Sequence, residues 1–294
     1  VMQTYMQHLE HGLKGLPCHL MQSNGGSLQP EFVAQFPVRC ALSGPAGGIL
    51  VALEVGRQLQ KPRLLSFDMG GTSTDVALLT GELPLQTESV INEIPLALPM
   101  LAIHTVGAGG GSQVRLDAGG ALRVGPESAG ADPGPICYGK GQQMTVTDAH
   151  VFLGRIPADC KLGGKLTLHI APLRQAFVAL GEALGLTPEA AAEGVIAVAN
   201  ANMERALRVG SVEKGHDPRH FNLFCFGGAG GLHACDLARN LQIPQIIFPA
   251  FAGVFSALGM LYADQVEDTS LTVLGRLNIK DTTGVHQAFK KLKH

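Results

Sequence analysis

The 294-residue chain balances 22 lysines and arginines against 24 aspartates and glutamates, a formal net charge of −2, and 46% of it is hydrophobic. That is apolar enough for a large core and excludes a disordered chain, while the lack of a basic excess argues against nucleic acid as the main partner. Glycine is the outlier at 38 residues, without the Gly-X-Y period that would mark collagen.

In chain order, residues 1–14 predict a helix that begins mid-pattern on Val1, as in a piece cut from a longer chain. Residues 17–22 predict an apolar strand closed by the turn Ser23-Asn24-Gly25-Gly26, and 28–36 a short mixed segment. A turn at Gly44-Pro45 is followed by a small-residue helix, in which Ala46, Gly47 and Gly48 permit close approach of another backbone. Residues 63–90 predict a meander of three strands with turns at 70–73 and at Thr80-Gly81. Residues 112–125 predict a hairpin turning at 117–120, and 126–135 a long loop. Leu173, Phe177, Leu180 and Leu184 share one helical face. Thr187 caps a second, long helix that has Pro188 at its first position. The segment 221–247 reads strand, glycine turn, helix, strand, which predicts parallel pairing.

Residues 246–263 carry no charge over a length that a membrane span would need. Pro249, Gly253, Ser256 and Gly259 break the run, so the expectation is a buried strand, a turn and a buried helix, with no membrane partner. Six cysteines without a C-x-x-C pair predict reduced thiols in a cytoplasmic protein.

Three glycine clusters follow apolar strands: 68–75 (DMGGTSTD), 107–112 (GAGGGS) and 226–231 (FGGAGG). Glycine lets backbone N–H groups approach an anion without a Cβ in the way, and Thr72, Ser73 and Thr74 add hydroxyl donors. One such cluster is also what a plain tight turn requires; three at strand ends favour a phosphate ligand. No G-x-x-x-x-G-K-[ST] and no G-x-G-x-x-G completes, which removes support for a Walker loop or a dinucleotide site. Asp68 and Asp75 flank the first cluster. A carboxylate beside phosphate makes sense with an intervening magnesium ion, or as a group that orients an attacking oxygen; the alternative is that each caps its own turn.

The run LLSFDMGGTSTDVALL resembles the phosphate hairpin of the actin, hexokinase and heat-shock-ATPase superfamily, and FCFGGAGGLHACDLA its adenosine motif. ALSGPAGGILVALEVG and GVFSALGMLYA resemble its two connecting helices. Over nearly the whole chain, blocks such as MQSNGG, HTVGAGGGS, GPESAGADPGPICYGKG and TVTDAHVFLGR resemble the hydantoinase A/5-oxoprolinase family, apart from His150, where asparagine is common. The resemblance implies an α/β, actin-like (ribonuclease H-like) ATPase fold, a mixed sheet with a β-meander and flanking helices. It divides the chain into 1–60, the end of the first actin-like half; 61–270, the second half with loops 92–170 inserted; and 271–294, an extension. The family's earlier phosphate hairpin has no counterpart before Ser23, so one wall of the cleft is expected to lie outside this chain.

The implied activity is ATP-dependent opening of a cyclic amide such as hydantoin or 5-oxoproline by carbonyl phosphorylation, usually with a B-type partner subunit; homo-oligomerisation stays open. Asp68 would orient magnesium. Gly70, Gly71, Thr72 and Thr74, with Gly109 and Gly110, would hold phosphates. Gly227, Gly228 and Gly230 would approach the adenosine side. Asp68, Asp75 and His104 are the catalytic candidates, His104 facing the substrate carbonyl or a metal, or else simply packed. The other readings are the ATPase subunit of an acetone- or acetophenone-type carboxylase, and a nucleotide-gated protein without enzymatic activity. Convergence of His104, Asp132 and Cys137 on a metal, a metal at His216 and His220, a nucleophilic Cys137 and a nucleotide contact by His233 are weaker expectations.

Overall fold

Residues 63–69 read Arg-Leu-Leu-Ser-Phe-Asp-Met, apolar toward both faces, and such a strand needs cover on both sides. The computed structural model describes residues 2–91, 94–268 and 283–292. Helix α1 (Ser43–Gln58) leads into strand β1 (Arg63–Met69), which turns back as β2 (Thr74–Thr80). Strand β3 (His104–Val106) pairs with β2, and β4 (Ser112–Leu116) with β5 (Leu122–Ser128) forms a separate hairpin. Helices α2 (Val146–Phe152), α3 (Ala171–Leu184) and α4 (Pro188–Gly210) follow. Then come β6 (Asn222–Phe226), α5 (Ala234–Asn240), β7 (Ile246–Ile247) and the single-turn helix α6 (Phe255–Leu258).

The central sheet has five strands in the order β7-β6-β1-β2-β3. The β6–α5–β7 unit is parallel, as its alternation predicts, and β6 is also parallel to β1; β1, β2 and β3 are antiparallel. One face carries Leu64, Ala77, Leu79, Phe224 and Phe226, covered by α1 and α6 through Ile49, Leu53 and Phe255. The other carries Leu65, Phe67, Met69 and Val76, covered by Phe177 of α3, Met203 and Leu207 of α4 and Leu237 of α5. Each fully buried phenylalanine contributes about 1.5–3 kcal/mol of burial free energy. The cap of α4 forms as expected, the Thr187 hydroxyl accepting from the Ala190 N–H at 3.2 Å.

Several expectations shift. The third meander strand does not form from residues 82–90. Leu85–Gln86 pairs with Met100–Leu101, and Ser89–Ile91 with Ile94–Leu96, while β3 takes the place beside β2. Pro84 has no N–H to give a sheet ladder, which removes that segment from the edge of β2. The expected turn at Gly44-Pro45 is the first turn of α1, where a missing N–H costs nothing. The strand at 17–22 shrinks to Leu20–Met21, paired with Ser27–Leu28. The segment after Gly253 is only partly buried: Phe255 sits in the core, but Val254 and Leu261 are 62% and 80% exposed. Its helical turns are too short to bury more than the one side that meets α1. The helix Met2–Leu13 forms as read, and of residues 271–294 only the helix Thr283–Leu292 lies within the described residues. No helix among the described residues is long and apolar enough to cross a membrane, and all six cysteines are free.

Candidate active site

The parallel pairing of β6 with β1 sets Phe226 beside Asp68, and the antiparallel pairing of β1 with β2 sets Asp68 opposite Asp75. All three glycine clusters therefore meet at one end of the sheet. The Ala229 N–H donates to the Met69 carbonyl at 2.9 Å, the Gly110 N–H to the Gly70 carbonyl at 3.1 Å and the Gly111 N–H to the Gly71 carbonyl at 2.7 Å. The 107–112 loop is in turn held by α2, whose Thr147 hydroxyl and N–H both donate to the Gly110 carbonyl at 2.8 Å. Thr74 is fully buried and its hydroxyl donates to the Ala108 carbonyl at 2.6 Å, so it secures the same loop.

Space separates the nominated glycines into two groups. A Cβ on Gly109 would come within 2.7 Å of the Gly71 and Thr72 backbone, one on Gly110 within 2.8 Å of the Thr147 hydroxyl, and one on Gly230 within 2.8 Å of the Cys225 sulfur. Gly227, at φ +83°, adopts a left-handed conformation, and its Cβ would fall on the Met69 carbonyl and the Asp68 carboxylate. Packing within the protein accounts for these four. A Cβ on Gly70, Gly71 or Gly228 would meet nothing within 4 Å. Thr72 is exposed, and among the described residues neither the Gly71 nor the Thr72 N–H donates to a backbone carbonyl. This is an open turn with unspent donors, the arrangement that receives an anion.

Asp68 and Asp75 project from the sheet face covered by α1 and α6. The Ser256 hydroxyl of α6 donates to Asp68 at 3.1 Å, and the Thr105 hydroxyl of β3 to Asp75 at 2.5 Å. Burial pushes the Asp68 pKa up to about 6, opposed by the Ser256 hydrogen bond and assisted by the charge of Asp75. Burial also raises Asp75, against the pull of Thr105. Two adjacent, partly desolvated carboxylates beside an open turn form a set of hard oxygen donors. That donor set fits magnesium, which takes one or two carboxylates together with phosphate oxygens and water.

His104 lies on the other side. It pairs with Val76, and directly opposed residues point to the same face, so its side chain is on the α4 face, away from both aspartates. Cys137 is buried beside Asp148; burial and then the Asp148 charge push its thiol far up, which leaves it protonated. Asp132 is exposed and pairs with Lys140 at 3.4 Å. His216 makes an edge-on ring contact with Phe221. Among the described residues, no three His, Cys, Asp or Glu side chains gather as metal ligands.

His233 takes part in a buried network that no local pattern in the sequence announces. Asn200 donates through Nδ2 to Asp236 at 3.4 Å, so its Oδ1, 2.6 Å from His233 Nδ1, accepts from that nitrogen. His233 Nε2 then accepts from His150 Nε2 at 3.1 Å, and His150 Nδ1 has no partner among the described residues. Burial drives the His150 pKa down to about 3, with His233 adding to the effect, and burial drives His233 down to about 4. Both folded-state values lie below the unfolded value of about 6.5, so the unfolded chain binds more protons and stability falls as pH drops below that value. His150→Asn is expected to shrink the stability difference between pH 7 and pH 5 by about 2 kcal/mol in denaturant titrations. An unchanged difference would show that His150 takes up a proton in the folded protein. The pattern Thr145-Val146-Thr147-Asp148 is a capping box whose Thr145–Asp148 pair forms, and it is the local signal that places Thr147 and Asp148 at the start of α2.

A sequence model described as hydantoinase/oxoprolinase matches residues 1–269. The chain belongs to the hydantoinase/oxoprolinase family. It is 40% identical to 5-oxoprolinase 1 of Arabidopsis thaliana over 84% of this chain and 21% of that protein. It is 35% identical to the caprolactamase subunit alpha of Pseudomonas jessenii over 100% of this chain and 43% of the relative. The crystal structure of the ATP-dependent caprolactamase from that organism superimposes with a TM-score of 0.78 at 34% identity, over 90% of this chain and 39% of its own. A nucleotide-free acetone carboxylase, solved in work on ATP-dependent acetone carboxylation, superimposes with a TM-score of 0.82 at 34% identity, over 89% of this chain and 38% of that one. The chain thus spans less than half the length of these family members.

Proposed function

We propose that this chain supplies the phosphate-binding wall of an actin-like ATPase that opens a cyclic amide, such as a hydantoin, 5-oxoproline or a related lactam, by phosphorylating its carbonyl oxygen. The observation that carries the reading is the open turn at Gly70, Gly71 and Thr72: glycine is required there by neither packing nor a positive φ, and the Gly71 and Thr72 N–H groups have no backbone acceptor among the described residues. The names of the 5-oxoprolinase and caprolactamase relatives support the substrate class.

In this reading the Gly71 and Thr72 N–H groups and the Thr72 hydroxyl hold phosphate oxygens, and the loops at 109–111 and 227–230 fix that turn from either side. Such transfer is catalysed by positioning and charge neutralisation. Asp68 and Asp75 would hold magnesium, which supplies the positive charge that lets carboxylates and phosphate share one site. Ser256 and Thr105 orient the two carboxylates through their hydroxyl hydrogens. The caprolactamase relative is a subunit alpha, which supports a B-type partner here.

The test is ADP release by the full-length protein with its partner subunit, in the presence of 5-oxoproline, caprolactam or hydantoin. Lactam-dependent release with ring-opened product is expected; release indifferent to every lactam overturns the reading. The superposition on acetone carboxylase favours the second reading, a carboxylase ATPase, whose signature is release that requires a ketone and bicarbonate.

A further inference from the structure

Helix α4 presents Val198, Asn202, Arg205 and Val209, spaced as one helical stripe, toward the β4–β5 hairpin. Between them lies a cavity of about 730 Å³ that reaches His104, Val106 and Gly107 and is lined on the hairpin side by Arg115, Asp117 and Arg123. That size suits a small organic molecule. The Asn202 amide ties the walls together, donating to the Val124 carbonyl at 3.0 Å.

The charges around this cavity do not cancel. Arg115 and Arg123 are direct cross-strand partners, a placement that costs energy for like charges. Each is offset by one carboxylate: Arg115 pairs with Glu127, and Arg123 with Asp117 at 2.8 Å. Arg205, exposed on α4, has no ion pair or hydrogen bond among the described residues. Three guanidinium groups against two carboxylates leave one positive charge, in a chain whose formal net charge is −2. His104 adds no compensating charge; burial and then the nearby Lys214 depress its pKa, outweighing Glu213, so it is a neutral imidazole at pH 7. Val106, Leu122, Val198 and Val209 give the rest of the lining an apolar character.

We propose that this cavity is a binding site for a small organic monoanion, whose carboxylate is held by Arg205 and whose apolar body packs between α4 and the β4–β5 hairpin. A guanidinium fork matches the two oxygens of a planar carboxylate, and the single surplus charge matches a monoanion better than phosphate. Asn202 and His104 are the neutral polar groups that can fix the orientation of the body. Thr105, which donates to Asp75, also borders the cavity, but Arg205, Asn202 and His104 lie on the α4 face of the sheet, opposite Asp68 and Asp75, so the anion site stands or falls independently of the phosphate reading.

Calorimetric titration of the full-length protein at fixed ionic strength tests this with two monocarboxylates that are not lactams, cyclopentanecarboxylate and cyclohexanecarboxylate, against neutral cyclohexanecarboxamide. At least one carboxylate is expected to bind about tenfold or more tightly than the carboxamide, since a charge-assisted hydrogen bond contributes more than one such factor. Arg205→Gln is expected to lose that margin and Arg205→Lys to keep part of it, with unchanged melting because the side chain is exposed. Binding that survives Arg205→Gln, equal binding of the carboxamide, or no binding of either carboxylate would each overturn the proposal.

Discussion

Asp68→Asn is expected to lower lactam-dependent ADP release by about 100-fold or more while making the protein more stable at pH 7. The two effects have one cause. Burial, and then the nearby charge of Asp75, raise the Asp68 pKa to about 6 against the Ser256 hydrogen bond. A carboxyl whose folded-state pKa exceeds its unfolded value costs stability where it is ionised, and the cost fades as pH falls through the folded value toward the unfolded one. A carboxyl raised that far above its usual range would cost about 3 kcal/mol when ionised, and solvent screening at this partly exposed site reduces that to about 1–2 kcal/mol. Asparagine keeps an oxygen for the Ser256 hydroxyl but removes the charge. Denaturant titrations should therefore show the variant more stable at pH 7 and equal to the parent near pH 4. A variant that retains activity would remove Asp68 from the site, and one that loses stability at pH 7 would show that the Asp68 charge is compensated in the folded protein.

Which parts of this were legible beforehand follows from how far apart the interacting residues lie. The strand-end placement of the three glycine clusters and the α4 cap rest on neighbours within a few residues, and the parallel β6–α5–β7 unit on the order of consecutive elements; these formed as read. The convergence of the clusters depends on Asp68 lying beside Phe226 in the sheet, a pairing between distant segments that no local pattern encodes. The face of His104 depends on register: a shift of one residue against β2 would have turned it toward Asp75. The buried His150–His233 pair joins α2 to the N-cap residue of α5, and each histidine taken alone resembles any other. The division between glycines required by packing and those facing open space is likewise a three-dimensional fact, since Gly70 and Gly109 carry the same letter in similar strings.

The second large effect is expected at Gly259, where fold and site share a contact. A Cβ on Gly259 would fall on the backbone of Gly47, and one on Gly47 on the Ser256 carbonyl, so α1 and the turn after α6 cross backbone to backbone. A flexible side chain could move aside; a helix backbone cannot, and the two elements must separate. Gly259→Ala should then cost about 1–3 kcal/mol, the range for overpacking a tight contact, and lower Tm by about 3–9 °C. Gly253→Ala is the control: a Cβ there meets nothing within 4 Å, and the expected change is within about 0.5 kcal/mol. Separation also draws Ser256 away from Asp68, where its hydroxyl is the interaction that lowers the carboxyl pKa. The folded fraction of Gly259→Ala should therefore release ADP with a pH dependence shifted upward from the parent's. Melting equal to the parent's would show that α1 and α6 have room to spare. Lost stability with an unshifted pH profile would separate the packing of the crossing from the orientation of Asp68.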